Sequence, residues 1–161
     1  MPPAAFAAML NQFYRVATDI LVEQDAIIDK LIGDEVMGLF IPGLCGANYR
    51  ASAARTAEAL VLGMGHRQDA RPWLPIGVGV HAGPAFVGKV GRGDVTDFTA
   101  LGDTINTAAR LQAEAADGEV ILSDGVYESI EQLYPNLERH VLTLRGKEQP
   151  LVVRVLRPGF E

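Results

Sequence analysis

The sequence is poor in cysteine, since Cys45 is the only one among 161 residues. A single cysteine cannot form a disulfide within its own chain, and such sparing use is typical of proteins in a reducing compartment. We therefore expect a fold that holds together without disulfides, and we expect a cytoplasmic location.

Basic residues and long apolar runs are also scarce. Lys and Arg number 14 against 20 Asp and Glu, which gives a formal net charge of −6. Proteins that bind duplex nucleic acid usually carry a basic patch, so nucleic acid is not an expected partner. No run approaches the roughly 20 apolar residues of a membrane-spanning helix, and the first residues lack the basic start of a signal peptide. We expect no membrane contact in this segment.

What remains is the composition of a folded domain, with 48% hydrophobic and 21% charged residues. The length fits one domain, since a domain typically has roughly 100–200 residues. No internal repeat, low-complexity tract or linker divides the chain. We therefore predict one domain that covers residues 1–161.

Three stretches have the period of an amphipathic helix. Apolar residues recur at spacings of three and four from Phe6 to Leu21, after two prolines that suit a first helical turn. Similar patterns predict helices over 49–65 and over 103–115, where Asp103 or Thr104 is a plausible N-cap. A short helix is predicted from Ser123 to Ile130.

Strand patterns separate these helices. Segments rich in β-forming residues flank Gly33 and Asp34, a pair that favours a tight hairpin turn. The other predicted strands cover 76–80, 85–90, 119–122, 137–144 and 151–156. Several strand pairs are joined by short turns, which indicates an antiparallel arrangement. The sequence therefore predicts an α+β fold in which helices pack on the faces of a mixed, mainly antiparallel sheet.

Asp34 is the first candidate for chemistry. A carboxylate at a hairpin tip extends past the sheet edge, where Mg²⁺, which prefers oxygen ligands, could reach it. Asp is also common in turns for backbone reasons alone, and Lys30, four residues earlier, could be an ordinary solvated strand residue. The pattern leaves both interpretations open.

Asn106 and Arg110 form a second candidate pair. Their i, i+4 spacing places them on one helix face near the helix N-terminus, which favours anions. Arg offers a planar fork for phosphate oxygens and Asn an amide that donates and accepts, although a simple polar face fits equally well. Lys147 lies in a turn between strands, where most lysines only improve solubility. His81 alternates with valines, as a hydrogen-bonded core histidine would.

Four segments together resemble the catalytic domain of class III nucleotidyl cyclases, the adenylate and guanylate cyclases. They read DKLIGDEVM at 29–37, IGVGVHAG at 76–83, DFTALGDTINTAARL at 97–111, and the closing stretch from Leu144 to Val155. The resemblance runs from about Pro3 to Leu156, and the third segment is the most specific. It implies a ferredoxin-like, palm-type sheet.

The resemblance implies a metal site and a purine site. Asp34 would be one of two metal-binding aspartates, with Ile32 and Gly33 lining the same site. Lys30 and Thr99 occupy the positions that read the purine edge, and a Lys/Thr pair looks like the ATP-selective bacterial type. Mg²⁺ or Mn²⁺ would be the cofactor.

The same resemblance implies roles at the phosphates. Asn106 would orient the ribose, Arg110 would stabilise the transition state, and Lys147 would hold the terminal phosphates. In such enzymes the ribose 3′-oxygen attacks the α-phosphate of ATP, which yields 3′,5′-cyclic AMP and pyrophosphate. Their active sites lie between two subunits, so the expected assembly is a homodimer that serves signal transduction.

One departure from the family pattern is important. The family opens with a strand that bears the first metal aspartate, and this chain has no such segment, because Asp19, Asp25 and Asp29 lie in the wrong context. The sheet would then lack a central strand and keep unpaired edges. We expect an N-terminally incomplete domain with very low or no activity in this form. The alternative is a non-catalytic nucleotide-binding or dimerisation module. A diguanylate cyclase is disfavoured because its Gly-Gly-acidic-acidic-Phe hairpin is absent.

Overall fold

The computed structural model describes residues 1–159, apart from the side chain of Ile32. Helices alternate with strands that pair mainly antiparallel, which confirms the predicted α+β class. The helices are α1 (Pro3–Glu23), α2 (Pro42–Cys45), α3 (Tyr49–Gly63), α4 (Asp103–Glu114) and α5 (Asp124–Tyr127). The strands are β1 (Ile27–Ile32), β2 (Glu35–Leu39), β3 (Val78–Val80), β4 (Phe86–Arg92), β5 (Val95–Leu101), β6 (Val120–Ser123), β7 (Glu138–Leu142) and β8 (Leu151–Leu156).

Four strands form the main sheet, in the order β3-β6-β8-β7. The β3–β6 pair is parallel, and the β6–β8 and β7–β8 pairs are antiparallel. Helix α3 covers one face of this sheet, and the buried side chains between them make the main core. That core contains Ala54, Ala57, Val61, Val120, Leu122, Val126, Tyr127, Ile130 and Leu156.

Helix α4 lies against the edge strand β3 at very short distance. A Cβ built on Gly79 would come within 2.6 Å of the Ala108 carbonyl oxygen and 2.4 Å of the Gln112 backbone nitrogen. Only glycine tolerates such an approach, because any side chain would force the helix outwards. Gly79 therefore fixes the position of the helix that carries Asn106 and Arg110.

The remaining strands form two separate hairpins, β1–β2 and β4–β5. Within residues 1–159, β2 pairs only with β1 and β3 pairs only with β6, so each keeps one unpaired edge. A cavity of about 780 Å³ lies between these strands, with Val36 and Gly38 on one side and Val78 and Val80 on the other. The sequence predicts unpaired strand edges. Among residues 1–159 these are the free edges of β2 and β3, and the cavity lies between them.

Several boundaries differ from the sequence prediction. The helix predicted from Ser123 to Ile130 ends at Tyr127, and β7 covers Glu138–Leu142 within the longer segment predicted. Strand β5 was not predicted, because its apolar residues do not alternate regularly. It forms by pairing with β4 over its whole length. None of the helices in the described residues 1–159 combines the length and apolarity that a membrane crossing requires.

Candidate active site

The β1–β2 hairpin presents Asp34 at its tip. Gly33 has a φ of 58°, a conformation that glycine adopts without the penalty of a side chain. Its carbonyl oxygen accepts a hydrogen bond from the Tyr14 hydroxyl, which ties the hairpin tip to α1. Asp34 is exposed and borders the cavity between β2 and β3. Ile32 pairs with Glu35 through the backbone, and the role expected of its side chain lies outside the described part.

The donors around Asp34 do not by themselves fit a two-metal site. No group of three or more His, Cys, Asp or Glu side chains among the described residues 1–159 is arranged to hold a metal ion. Mg²⁺ needs near-octahedral oxygen ligation, and a two-metal site needs carboxylates that bridge or flank both ions. Asp34 therefore offers one carboxylate at the hairpin tip, and its role as a metal ligand stays a prediction.

Lys30 and Thr99 lie on strands that touch each other. The register between β1 and β2 shifts between Ile28 and Lys30, which leaves Asp29 as the extra residue of a bulge. Thr99 lies in β5 and is only 4% exposed. Its hydroxyl donates a hydrogen bond to Oδ2 of Asp29, with 3.2 Å between the oxygens. The two predicted purine-reading positions are thus connected through Asp29.

Arg110 and Lys147 converge at the other end of the site. Lys147 forms an ion pair with Asp103, the first residue of α4. Arg110, two turns further along α4, packs on the turn that contains Lys147, since a Cβ on Gly146 would lie 3.4 Å from its Nη2 atom. Asn106 is exposed between them on the same helix face. The structure therefore brings three of the predicted phosphate and ribose residues together.

Asp103 interacts through its charge with Lys147, Arg110 and His81, and His81 also interacts with Lys147. The hydrogen bond from Lys147 lowers the pKa of Asp103, and Arg110 and His81 lower it further through their charges. Burial lowers the pKa of His81 below its ordinary value of 6.5, the charge of Lys147 lowers it further, and Asp103 opposes both. His81 is therefore neutral near pH 7. A cavity of about 520 Å³ opens beside His81, Asp103 and Lys147.

Sequence reasoning missed two members of this cluster. The position proposed as an N-cap is taken by Gly102, and Asp103 binds Lys147 instead of the helix backbone. Thr104, the other N-cap candidate, donates to the Pro84 carbonyl oxygen at 2.6 Å. His81 is half-buried, and its Nδ1 is buried without a hydrogen-bond partner among the described residues, so it is not the satisfied core histidine that the alternation favoured. Asp103 could have been found, because it precedes Asn106 by three residues on one helix face.

Comparison with known proteins gives this cluster a context. Residues 2–156 match the family model described as the adenylate and guanylate cyclase catalytic domain. The fold is similar to the crystal structure of the guanylyl cyclase Cya2, with a TM-score of 0.84 at 19% identity. That match covers 96% of this chain and 81% of the other. At 19% identity, this structural similarity establishes the fold alone.

Curated relatives extend the match to longer proteins. An uncharacterized protein of Mycobacterium tuberculosis is 31% identical over 98% of this chain, and adenylate cyclase 1 of Rhizobium meliloti is 28% identical over 76% of it. The chain spans only 29% and 19% of those two relatives. Since the family model covers nearly the whole chain and agrees with the fold, the chain belongs to the family of adenylate and guanylate cyclase catalytic domains.

Proposed function

We propose that this chain is the catalytic domain of an adenylate cyclase, which converts ATP to 3′,5′-cyclic AMP and pyrophosphate in a homodimer. The observation that carries the proposal is the convergence of Arg110 and Lys147 beside the cavity that His81 and Asp103 border. Arg110 and Lys147 offer two positive charges to an anionic ligand, whereas Asp103 pairs with Lys147 and Glu148 also lines the cavity. A nucleoside triphosphate carries several phosphate charges and can compete with these carboxylates for the two cations.

The reaction forms one bond and breaks one bond at the α-phosphorus. The ribose 3′-oxygen attacks this atom after losing its proton, and the bond to the bridging oxygen breaks as pyrophosphate leaves. Negative charge then develops on the phosphoryl oxygens, which the planar guanidinium of Arg110 stabilises. Lys147 binds the terminal phosphates, and Asn106 hydrogen-bonds the ribose.

The ion pair between Lys147 and Asp103 has a role before nucleotide binds. Without nucleotide, Asp103 neutralises the lysine and holds it at the start of α4. The single negative charge of Asp103 attracts Lys147 less strongly than the several charges of a polyphosphate do. The terminal phosphates would therefore displace Asp103 from Lys147. We expect the nucleotide to exchange one anionic partner of Lys147 for another.

The β4–β5 hairpin supports a homodimer. Directly opposite residues and every second residue share one face of a hairpin. On the register observed, Thr99 shares its face with the charged residues Arg92 and Asp97 and with four exposed apolar side chains, which are Phe86, Val90, Val95 and Leu101. Exposed apolar clusters of this kind mark protein contacts. A second copy of the chain on this face would bring its own residues to the purine site around Thr99.

The preference for adenine rests on Lys30 and Thr99. A hydroxyl can accept a hydrogen bond from the exocyclic amine of adenine, and a lysine can donate to a ring nitrogen of the same base. Adenylate cyclase 1 of Rhizobium meliloti is among the relatives, whereas the similar structure Cya2 is a guanylyl cyclase. The choice between bases therefore depends on these side chains.

Mg²⁺ or Mn²⁺ is the expected cofactor, and Asp34 is the one side chain that we propose as a ligand. Because the described residues do not fit a two-metal site, we expect the 161-residue chain to form little or no cyclic AMP. It should nevertheless bind ATP, since the phosphate and purine residues are present.

The test measures cyclic AMP formed from ATP by the whole natural polypeptide, with Mg²⁺ or Mn²⁺ added. We expect turnover, and we expect Arg110→Ala to lower kcat by about 10²–10³, the usual loss when one transition-state donor is removed. Arg139→Ala is the matched control, because Arg139 is exposed on β7 outside the cluster. Binding of ATP without any cyclic product would favour the non-catalytic module instead.

A further inference from the structure

We infer that Asp29 is a positioning residue that makes this site selective for an adenine base over a guanine base, by fixing the direction of the Thr99 hydroxyl. The inference rests on the proposed function and extends it to a residue that has no role in that proposal. It starts from the hydrogen bond that crosses from β5 to β1, between the Thr99 hydroxyl and Oδ2 of Asp29.

This hydrogen bond determines whether the Thr99 hydroxyl can donate to a bound base or only accept from it. A threonine hydroxyl has one hydrogen to donate and two lone pairs that accept, whereas an ionised carboxylate only accepts. When the hydrogen of Thr99 points at Asp29, the hydroxyl has only acceptor capacity left for a ligand. The exocyclic amine of adenine is a donor and matches that acceptor. The carbonyl oxygen of guanine at the same ring position is an acceptor and is repelled.

The surroundings of Asp29 keep the hydrogen in place. Among the described residues, Oδ1 of Asp29 is buried without a hydrogen-bond partner, so Thr99 is the donor on which this carboxylate depends. Turning the hydroxyl towards a guanine would leave a largely buried carboxylate with no donor, which is unfavourable.

The local backbone brings the two side chains together. Asp29 is the extra residue of the β1 bulge, and a bulge re-aims the side chain that it contains. Thr99 lies opposite Gly88, and the ring of Phe86 lies over this glycine, since a Cβ built on it would come within 3.0 Å of the ring. The bulge therefore places the Asp29 carboxylate within reach of the Thr99 hydroxyl, next to Lys30.

The test is a double-mutant cycle in the whole natural polypeptide, with Asp29→Asn, Thr99→Val and the double variant. The quantity measured is the ratio of kcat/KM for ATP to kcat/KM for GTP. An asparagine can turn its amide donor towards Thr99, which frees the hydroxyl hydrogen for the carbonyl of guanine. We expect Asp29→Asn to lower the ratio about tenfold in the wild-type background, as one redirected hydrogen bond would, and to leave it unchanged in the Thr99→Val background.

Asp19→Asn is the matched control, because Asp19 is an exposed aspartate on α1. It removes the same charge and should leave the ratio unchanged. An equal fall of the ratio with and without the Thr99 hydroxyl would overturn the inference, and so would no fall at all. A purely structural role of Asp29 would lower both kcat/KM values together and leave their ratio constant.

Two further measurements keep the outcomes separate. Thermal unfolding identifies any variant that does not fold, and in that case Asp29→Glu replaces Asp29→Asn. A folded Glu variant retains an accepting carboxylate and should keep the ATP preference, and loss of the preference would contradict the inference. If the wild-type polypeptide turns over neither ATP nor GTP, the proposed function itself is wrong and the inference fails with it.

Discussion

The main sheet and the β4–β5 hairpin use apolar residues in opposite ways. All four residues of β6 are buried, and Leu122 at its centre is inaccessible to solvent. In β5 only Thr99 and Ala100 are buried, while Val95 is 82% exposed. The main sheet thus forms a packed core that positions α4, whereas the hairpin exposes apolar side chains that the described residues 1–159 leave uncovered. The difference separates residues that hold the fold from the exposed residues at which we propose that a second copy of the chain docks.

The largest effect is expected from the main sheet. Leu122→Ala should lower the free energy of unfolding by about 2–5 kcal/mol, because it removes a fully buried side chain and leaves a cavity. Chemical denaturation measures this loss. Val141→Ala is the control, since Val141 is 53% exposed on β7 and should cost no more than about 0.5 kcal/mol. Equal losses in both variants would break the distinction between core and surface.

A smaller effect on stability, with a large effect on assembly, is expected from the hairpin. Val95→Asp should raise the dissociation constant of the dimer by about tenfold or more, because it places a carboxylate on the face that we propose as the interface, at a position that is 82% exposed. Sedimentation at several protein concentrations measures this constant. Leu133→Asp is the control, as Leu133 is 46% exposed and lies outside the hairpin. A Val95→Asp protein that dimerises like the wild type would show that this face is not the interface.

A more local effect should appear at the cluster next to α4. Lys147→Ala removes a positive charge that lowers the pKa of His81, so this pKa should rise. Asp103→Asn removes the charge that opposes the shift, so the same pKa should fall. Titration of the imidazole signals by NMR measures both changes. Shifts of the same sign in the two variants would contradict the geometry of the ion pair.

The smallest effect concerns stability against pH. Because the pKa of His81 is lower in the folded chain than its ordinary value of 6.5, the unfolded chain binds the proton more readily. The stability that depends on a neutral His81 is therefore present above pH 6.5 and is lost as the pH falls towards the lowered pKa. Comparing wild type with His81→Gln isolates this dependence. A wild-type protein that gains stability relative to the variant on acidification would reverse the expected sign.

Local chemistry explains which features the sequence could predict. The turn at Gly33 and Asp34 and the shared face of Asn106 and Arg110 depend only on residues a few positions apart, so short-range rules found them. The assigned roles of these residues remain predictions.

Features that depend on contacts between residues far apart in sequence could not be predicted by short-range rules. The bond from Lys147 to Asp103 joins positions 44 residues apart, and the bond from Thr99 to Asp29 joins positions 70 apart. Strand β5 has no alternating pattern of its own and exists because β4 pairs with it. The lowered pKa of His81 likewise follows from burial and from a lysine that only the fold brings near.

The gap between β2 and β3 has a mechanical consequence. No backbone ladder joins the β1–β2 hairpin to the main sheet among residues 1–159. The hairpin is held instead by the packing of α1 against α3 and the hairpin, and by the contact of β1 with β5. Amide hydrogens along the two facing edges should exchange with solvent sooner than those of β6, which pairs on both sides. The part of the molecule that carries Asp34 can therefore loosen as one unit while the sheet beneath α4 stays intact.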